Sequence, residues 1–189
     1  MEVRRLIEEA RSTLLAQRAR AQALQHMPAE RLLYRPAPEA WNVLEVFEHL
    51  NLSSGIYVRG LEAQFARKAA RYRANPEFRP GWIGNWFTEG LKPQADGAIR
   101  WKMRTMKLFD PARQRGASLQ SIGRFVDLCD RFIHLLEQAS TTDLNKVRVT
   151  SSLGPLVRFK AGDAIRFPLA HQQRHFLQIE RLLRCTEQG

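Results

Sequence analysis

A chain of 189 residues, 44% hydrophobic and 26% charged, has the composition of a globular protein and the length for one domain with a substantial core. Its net charge of +11 is spread along the chain, without a basic run or a nucleic-acid-binding motif. That pattern argues against a nucleic-acid partner and for a solvated basic surface with some preference for small anions. No apolar run approaches the roughly 18 residues of a membrane-spanning helix, so no membrane partner is expected. The opening MEVRRLIEEARSTLL carries acids among its first nine residues and no apolar stretch of signal-peptide type, which makes the cytoplasm the expected location. Cys129 and Cys185 fall in helical patterns without CxxC spacing and read as small hydrophobes rather than a disulfide.

In chain order, the first helix is predicted over 2–26, where Val3, Ile7, Ala10, Leu14, Gln17, Ala21 and Leu24 recur at steps of three and four. Pro28 ends it, and the proline-punctuated MPAERLLYRPAPEAWN reads as an extended connector. A second helix is predicted over 42–73. Asn42 is its N-cap with Glu45 three residues on, and its seam is Val43, Phe47, Leu50, Ser54, Tyr57, Leu61 and Phe65. Residues 74–117 form a long connector holding Trp82, Trp86, Phe87, Trp101, Met103, Met106 and Phe109. So aromatic a segment is not disordered; it can cap the bundle as a satellite core, line a ligand pocket, or do both. A third helix is predicted over 118–140 on the stripe Leu119, Ile122, Val126, Cys129, Ile133 and Leu136. Residues 142–162 read as a crossover with some extended backbone. The last helix is predicted over 163–186 with Asp163 as N-cap, the seam Ile165, Leu169, Gln172, Phe176, Ile179 and Leu183, and a slight kink at Pro168. Four long amphipathic helices with long connectors describe an all-α helix bundle, one domain over 1–189 with an aromatic-rich insertion at 74–117.

Within PLAHQQRHFLQIERLL, His171 and His175 lie four apart, on one helix face and about 6 Å apart along the axis. This spacing offers two imidazoles to one metal ion. Gln172 stands where a zinc protease of this pattern carries its general-base Glu, so that chemistry is excluded. His49, in WNVLEVFEHLNLSSG, sits beside the core position Leu50 and would supply a third imidazole. Three imidazoles with one open position is the pattern of a catalytic rather than a closed structural site. Their nitrogens should then converge to about 2.0–2.2 Å from one metal position.

The pairing of EAWNVLEVFEHL with HQQRHFLQIERL resembles the DinB superfamily, including its YfiT-like proteins. That pattern is a Trp-led second helix ending in His-Leu, then a C-terminal helix of the form H-x-x-x-H followed by x-x-Q-[IL]. The resemblance implies a four-helix bundle in up-down-down-up order, a divalent metal held by His49, His171 and His175, and frequent dimerisation. Zinc or nickel are the leading ions, although imidazoles suit several. The family name reflects a DNA-damage-inducible founder and does not imply DNA binding. Some members are thiol S-transferases using bacillithiol, mycothiol or glutathione, one is a maleylpyruvate isomerase, and many have no known activity. A thiol cosubstrate fits physically, because a dication among neutral imidazoles keeps its charge and draws the proton from a thiol or from water.

Other polar positions admit two readings. Glu45 can orient an imidazole or act as a base, or close a capping box; Arg174 can attract a carboxylate of the substrate or of the thiol cofactor, or be a surface cation; Gln178 can support His175. The expected function is a DinB-like metal-dependent thiol S-transferase or hydrolase acting on a small electrophile. The alternative is a non-catalytic, stress-associated metal or small-molecule binder.

Overall fold

The computed structural model describes residues 1–68, 71–94, 96–99, 101, 105–113 and 116–186. Six helices and one small hairpin follow in order: α1 (Val3–Leu24), α2 (Ala29–Leu33), α3 (Val43–Lys68), α4 (Trp82–Leu91), α5 (Gln120–Ser140), β1 (Arg148–Thr150), β2 (Arg158–Lys160) and α6 (Ala161–Cys185). The fold is all-α with one short sheet.

The four long helices are those the apolar periodicity predicts, with ends shifted by one to several residues. The largest shift is in α3, whose described helix ends at Lys68 rather than at residue 73. Every predicted seam residue of α3 is buried. In α1 the buried stripe runs through Leu6 where Ile7 was expected. In α5 the correction is larger. The buried face is Ile122, Phe125, Leu128, Cys129, Phe132, Leu135, Leu136 and Ala139, while Leu119 precedes the helix and is exposed. Ile122, Cys129 and Leu136 belong to both stripes; the strict three-four spacing put Leu119, Val126 and Ile133 where Phe125, Leu128 and Phe132 lie deeper.

The helices pack as α1 on α5, α5 on α3, and α3 on α6, with α6 also touching α1. Arg18 meets Asp130 at 2.6 Å and Arg11 meets Glu137 at 3.8 Å, so α1 and α5 run in opposite directions. Glu48 pairs with Arg124 and Glu62 with Arg131, so α3 and α5 run the same way. Tyr57 packs on Phe167 and His49 on His175, which sets α6 against α3.

Two connectors depart from expectation, and the one between α5 and α6 carries the extended backbone expected of it. The link after α1 is not wholly extended: α2 forms within it and buries Leu32. Residues 142–162 contain the antiparallel pair β1–β2, in which buried Val149 faces buried Phe159. The insertion holds α4, which periodicity missed because its buried positions are small: Gly84 and Thr88, with Leu91 one turn on. Trp82 and Trp86 point outward, Trp82 with 83% of its surface exposed. A Cβ on Gly84 would lie 2.7 Å from Cβ and Cγ of Asp163, so glycine is what lets α4 rest on α6. Asp163 is not the N-cap of α6. Lys160 holds that position, and Asp163, buried in the first turn, accepts the Gly81 N–H at the start of α4 at 2.8 Å. Pro168 lies inside α6, which continues through it.

Candidate metal centre

His49 projects from α3 beside Leu50, and His171 and His175 project from the facing side of α6. His171 Nε2 lies 3.3 Å from His49 Nε2 and 3.2 Å from His175 Nε2. One ligand atom from each ring falls within 4.8 Å of the others. The outer two rings have their protons placed. His49 Nδ1–H donates to the Phe109 carbonyl at 2.8 Å, and His175 Nδ1–H donates to Gln178 Oε1 at 2.9 Å. Both acceptors are carbonyl oxygens, so these imidazoles, when neutral, present bare lone pairs at Nε2. Both lone pairs face the same nitrogen of His171, which can offer one proton at most. A cation between the rings satisfies all of them. Tetrahedral coordination at 2.0–2.1 Å separates ligand nitrogens by about 3.3–3.4 Å, close to the two distances found here. The donor set therefore fits a divalent metal ion.

The rings are held neutral by their surroundings. Burial lowers the His49 pKa, and the Phe109 hydrogen bond and nearby Asp110 offset this only in part. Burial drives His171 well below the ordinary range, helped by the neighbouring His175, His49 and Arg174. His175 falls to about 3, again chiefly through burial and then through His49. His171 and His175 keep some surface toward a cavity, although protein surrounds them closely. Trp41, which leads α3, packs on His49 with ring centroids 5.0 Å apart and stacks on His175 at 6.5 Å. Phe167 stacks on His171 at 6.5 Å.

A pH dependence follows with a definite sign. The folded pKa values lie below the unfolded value of about 6.5, so on acidification the unfolded chain takes up protons first. Above about pH 6.5 these rings add nothing to the pH dependence of stability. Below it the metal-free protein loses stability, at up to about 1.4 kcal/mol per pH unit from His175 alone, until its folded pKa of about 3 is reached. Denaturant midpoints of metal-free protein at about pH 7.5 and 5.5 test this, and a midpoint that holds or rises at the lower pH contradicts it.

The cavity beside the rings has a volume of about 90 Å³. Its apolar walls include Leu91, Met106, Phe109, Leu153 and Phe167, and its polar groups include Ser53, Tyr57, Thr105, Ser152 and Arg174. The insertion serves as both satellite core and pocket wall. Trp86, Phe87 and Trp101 cluster, with ring centroids 4.3–6.2 Å apart, and Phe87 reaches Phe167 at 6.4 Å. Met106 and Phe109 line the cavity, whereas Trp82 and Trp86 flank a shallow cleft on the surface; Met103 lies outside the described residues.

The weaker sequence candidates divide. Gln178 supports His175 as the spacing suggested. Arg174 is half-buried, lines the cavity and donates to the Trp101 carbonyl. Glu45 closes a capping box. It accepts the Asn42 N–H, and its own N–H donates to Asn42 Oδ1, both at 2.9 Å, while Arg35 pairs with it at 2.6 Å. Among the described residues it touches no imidazole. Sequence reasoning missed the Phe109 carbonyl, a backbone group 60 residues from His49 that no side-chain pattern announces. It also missed Tyr57 and Phe167 as cavity residues; Tyr57 read as core, and it is nearly fully buried while its hydroxyl meets Ser152 Oγ at 2.8 Å.

Fold and cluster together define a helical protein with a three-histidine site able to hold a metal ion. The family model of the DinB superfamily matches residues 12–179, and the chain belongs to that superfamily. Searches of curated proteins and of solved structures find no match.

Proposed function

We propose that this protein is a metal-dependent enzyme that transfers a low-molecular-weight thiol to a small electrophile, or hydrolyses that electrophile, at a centre held by His49, His171 and His175. The observation that carries the reading is the pair of Nε2 lone pairs turned on a third imidazole, each fixed by a hydrogen bond at its own Nδ1. A divalent ion there supplies a nucleophile at neutral pH by lowering the pKa of a thiol or of water. A closed structural site would need a fourth protein ligand, and the cluster among the described residues offers three, all histidines. The cavity beside the cluster would give an electrophile an apolar seat next to the three histidines.

The chain's own groups do the rest. Burial keeps the imidazoles unprotonated, so protons do not compete for the ligand nitrogens at neutral pH. The Phe109 carbonyl and Gln178 hold two rings in one tautomer and orientation. Leu91, Met106 and Phe167 limit water around the reacting groups.

The test is metal analysis of the native protein, followed by zinc- and nickel-loaded protein assayed with a panel of thiols against a chromogenic electrophile. Metal-dependent thiol consumption supports the transferase, and metal-dependent turnover without thiol supports the hydrolase. Stoichiometric metal with neither activity favours the non-catalytic binder.

A further inference from the structure

Arg174 differs from the arginines that form ion pairs across the bundle. Arg18 meets Asp130, Arg20 meets Glu180, Arg124 meets Glu48, Arg131 meets Glu62, and Arg166 meets Glu89 and Asp163. Arg174 meets a backbone carbonyl, that of Trp101, through Nη1, and no carboxylate pairs with it among the described residues. The described cavity lining contains no acidic side chain either. A guanidinium is always charged, and holding one half-buried without a counter-ion is unfavourable. Asp110, whose charge acts on His49, pairs with Arg113 at 3.5 Å, so the cavity lining itself carries one positive charge, to which a divalent ion would add two.

The Trp101 contact also fixes the guanidinium, because one nitrogen is anchored while Nε and Nη2 have no partner among the described residues. A planar fork with two N–H groups on one edge matches a carboxylate in bidentate geometry. Arg174 further lines an open outer cleft that shares Thr105, Arg174 and His175 with the cavity. It therefore stands where a molecule entering from outside meets the histidine cluster.

We propose that the substrate pocket is specific for a small organic carboxylate, whose head binds the free edge of Arg174 and whose apolar body lies along Leu91, Met106 and Phe167. This assignment rests on the reading of the site as a metal-dependent catalytic centre. It makes Arg174 the residue that selects an anionic over a neutral substrate.

Calorimetry on zinc-loaded protein with hexanoate and with hexanamide, its uncharged counterpart, tests the proposal. Hexanoate should bind about 10–100-fold more tightly than hexanamide, the range of the one charge-assisted hydrogen bond that the amide cannot replace. Arg174→Gln should bring hexanoate down to the amide's affinity while zinc uptake stays unchanged, and Arg174→Lys should restore part of the preference. Equal binding of the two probes to wild type overturns the proposal. So does a hexanoate preference that survives Arg174→Gln, since the ion or another group would then hold the head. Failure of the metal reading is separately visible as wild type that takes up no zinc. The same two probes on that metal-free protein, with and without Arg174→Gln, then decide the Arg174 assignment alone.

Discussion

Zinc supplied at 100 times its dissociation constant should raise the melting midpoint of metal-free protein by about 5–11 °C, and His171→Ala should abolish most of that rise. The size follows from linkage. An ion that binds only the folded state adds about 2.7 kcal/mol at this ratio, and a domain of this length gains roughly 2–4 °C per kcal/mol. Binding is confined to the folded state because His49 and His171 are 122 positions apart and meet only when α3 packs on α6. His171 is the informative position, since its Nε2 is the nitrogen both other rings approach. Its replacement leaves two ligands and an unchanged bundle, for alanine favours a helix and the His171 ring fronts the cavity. Melting curves with and without zinc, beside a far-ultraviolet spectrum, make the comparison. Equal zinc-induced shifts in both proteins would mean that the ion binds elsewhere.

Phe125→Ala should cost about 3–5 kcal/mol, lowering the midpoint by about 6–20 °C, whereas Leu119→Ala should change stability by no more than about 0.5 kcal/mol. Phe125 is fully buried, with its ring 5.3 Å from Phe47 of α3 and 5.6 Å from Phe176 of α6. Removing it opens a void where three helices meet, and Phe176 adjoins His175. Leu119 leaves 53% of its surface exposed and packs little. Chemical denaturation of the two variants measures the contrast. Comparable losses would put Leu119 in the core beside Phe125.

That contrast marks where the sequence is legible. The seam of helix α3 was legible because its recurrence at steps of three and four runs unbroken from Val43 to Phe65, although Leu44, Val46 and Val58 outside it are buried as well. Helix α5 carries Phe125 and Phe132 beside Val126 and Ile133, and a wide apolar face has no single best phase. Helix α4 left no periodic signal, because a close helix contact through Gly84 buries small groups and turns the tryptophans outward. The histidine cluster was legible for a different reason. Spacing on α6 fixes two rings on one face, and a third imidazole at the edge of an apolar seam must face the same interior. Gln178 could be read from the same spacing, but the support of His49 comes from the backbone of the insertion, and residue type does not encode where a carbonyl points.

The hydrogen bond from His49 to the Phe109 carbonyl therefore has a consequence for how this site can change over time. A main-chain oxygen survives any substitution that keeps the local chain path, so the tautomer of His49 is insulated from the identity of the side chain at position 109. That side chain walls the cavity. The insertion can thus be rewritten to admit molecules of new shape while the imidazole it steadies stays in register. The support of an imidazole and the shape of the cavity share one segment yet can mutate independently.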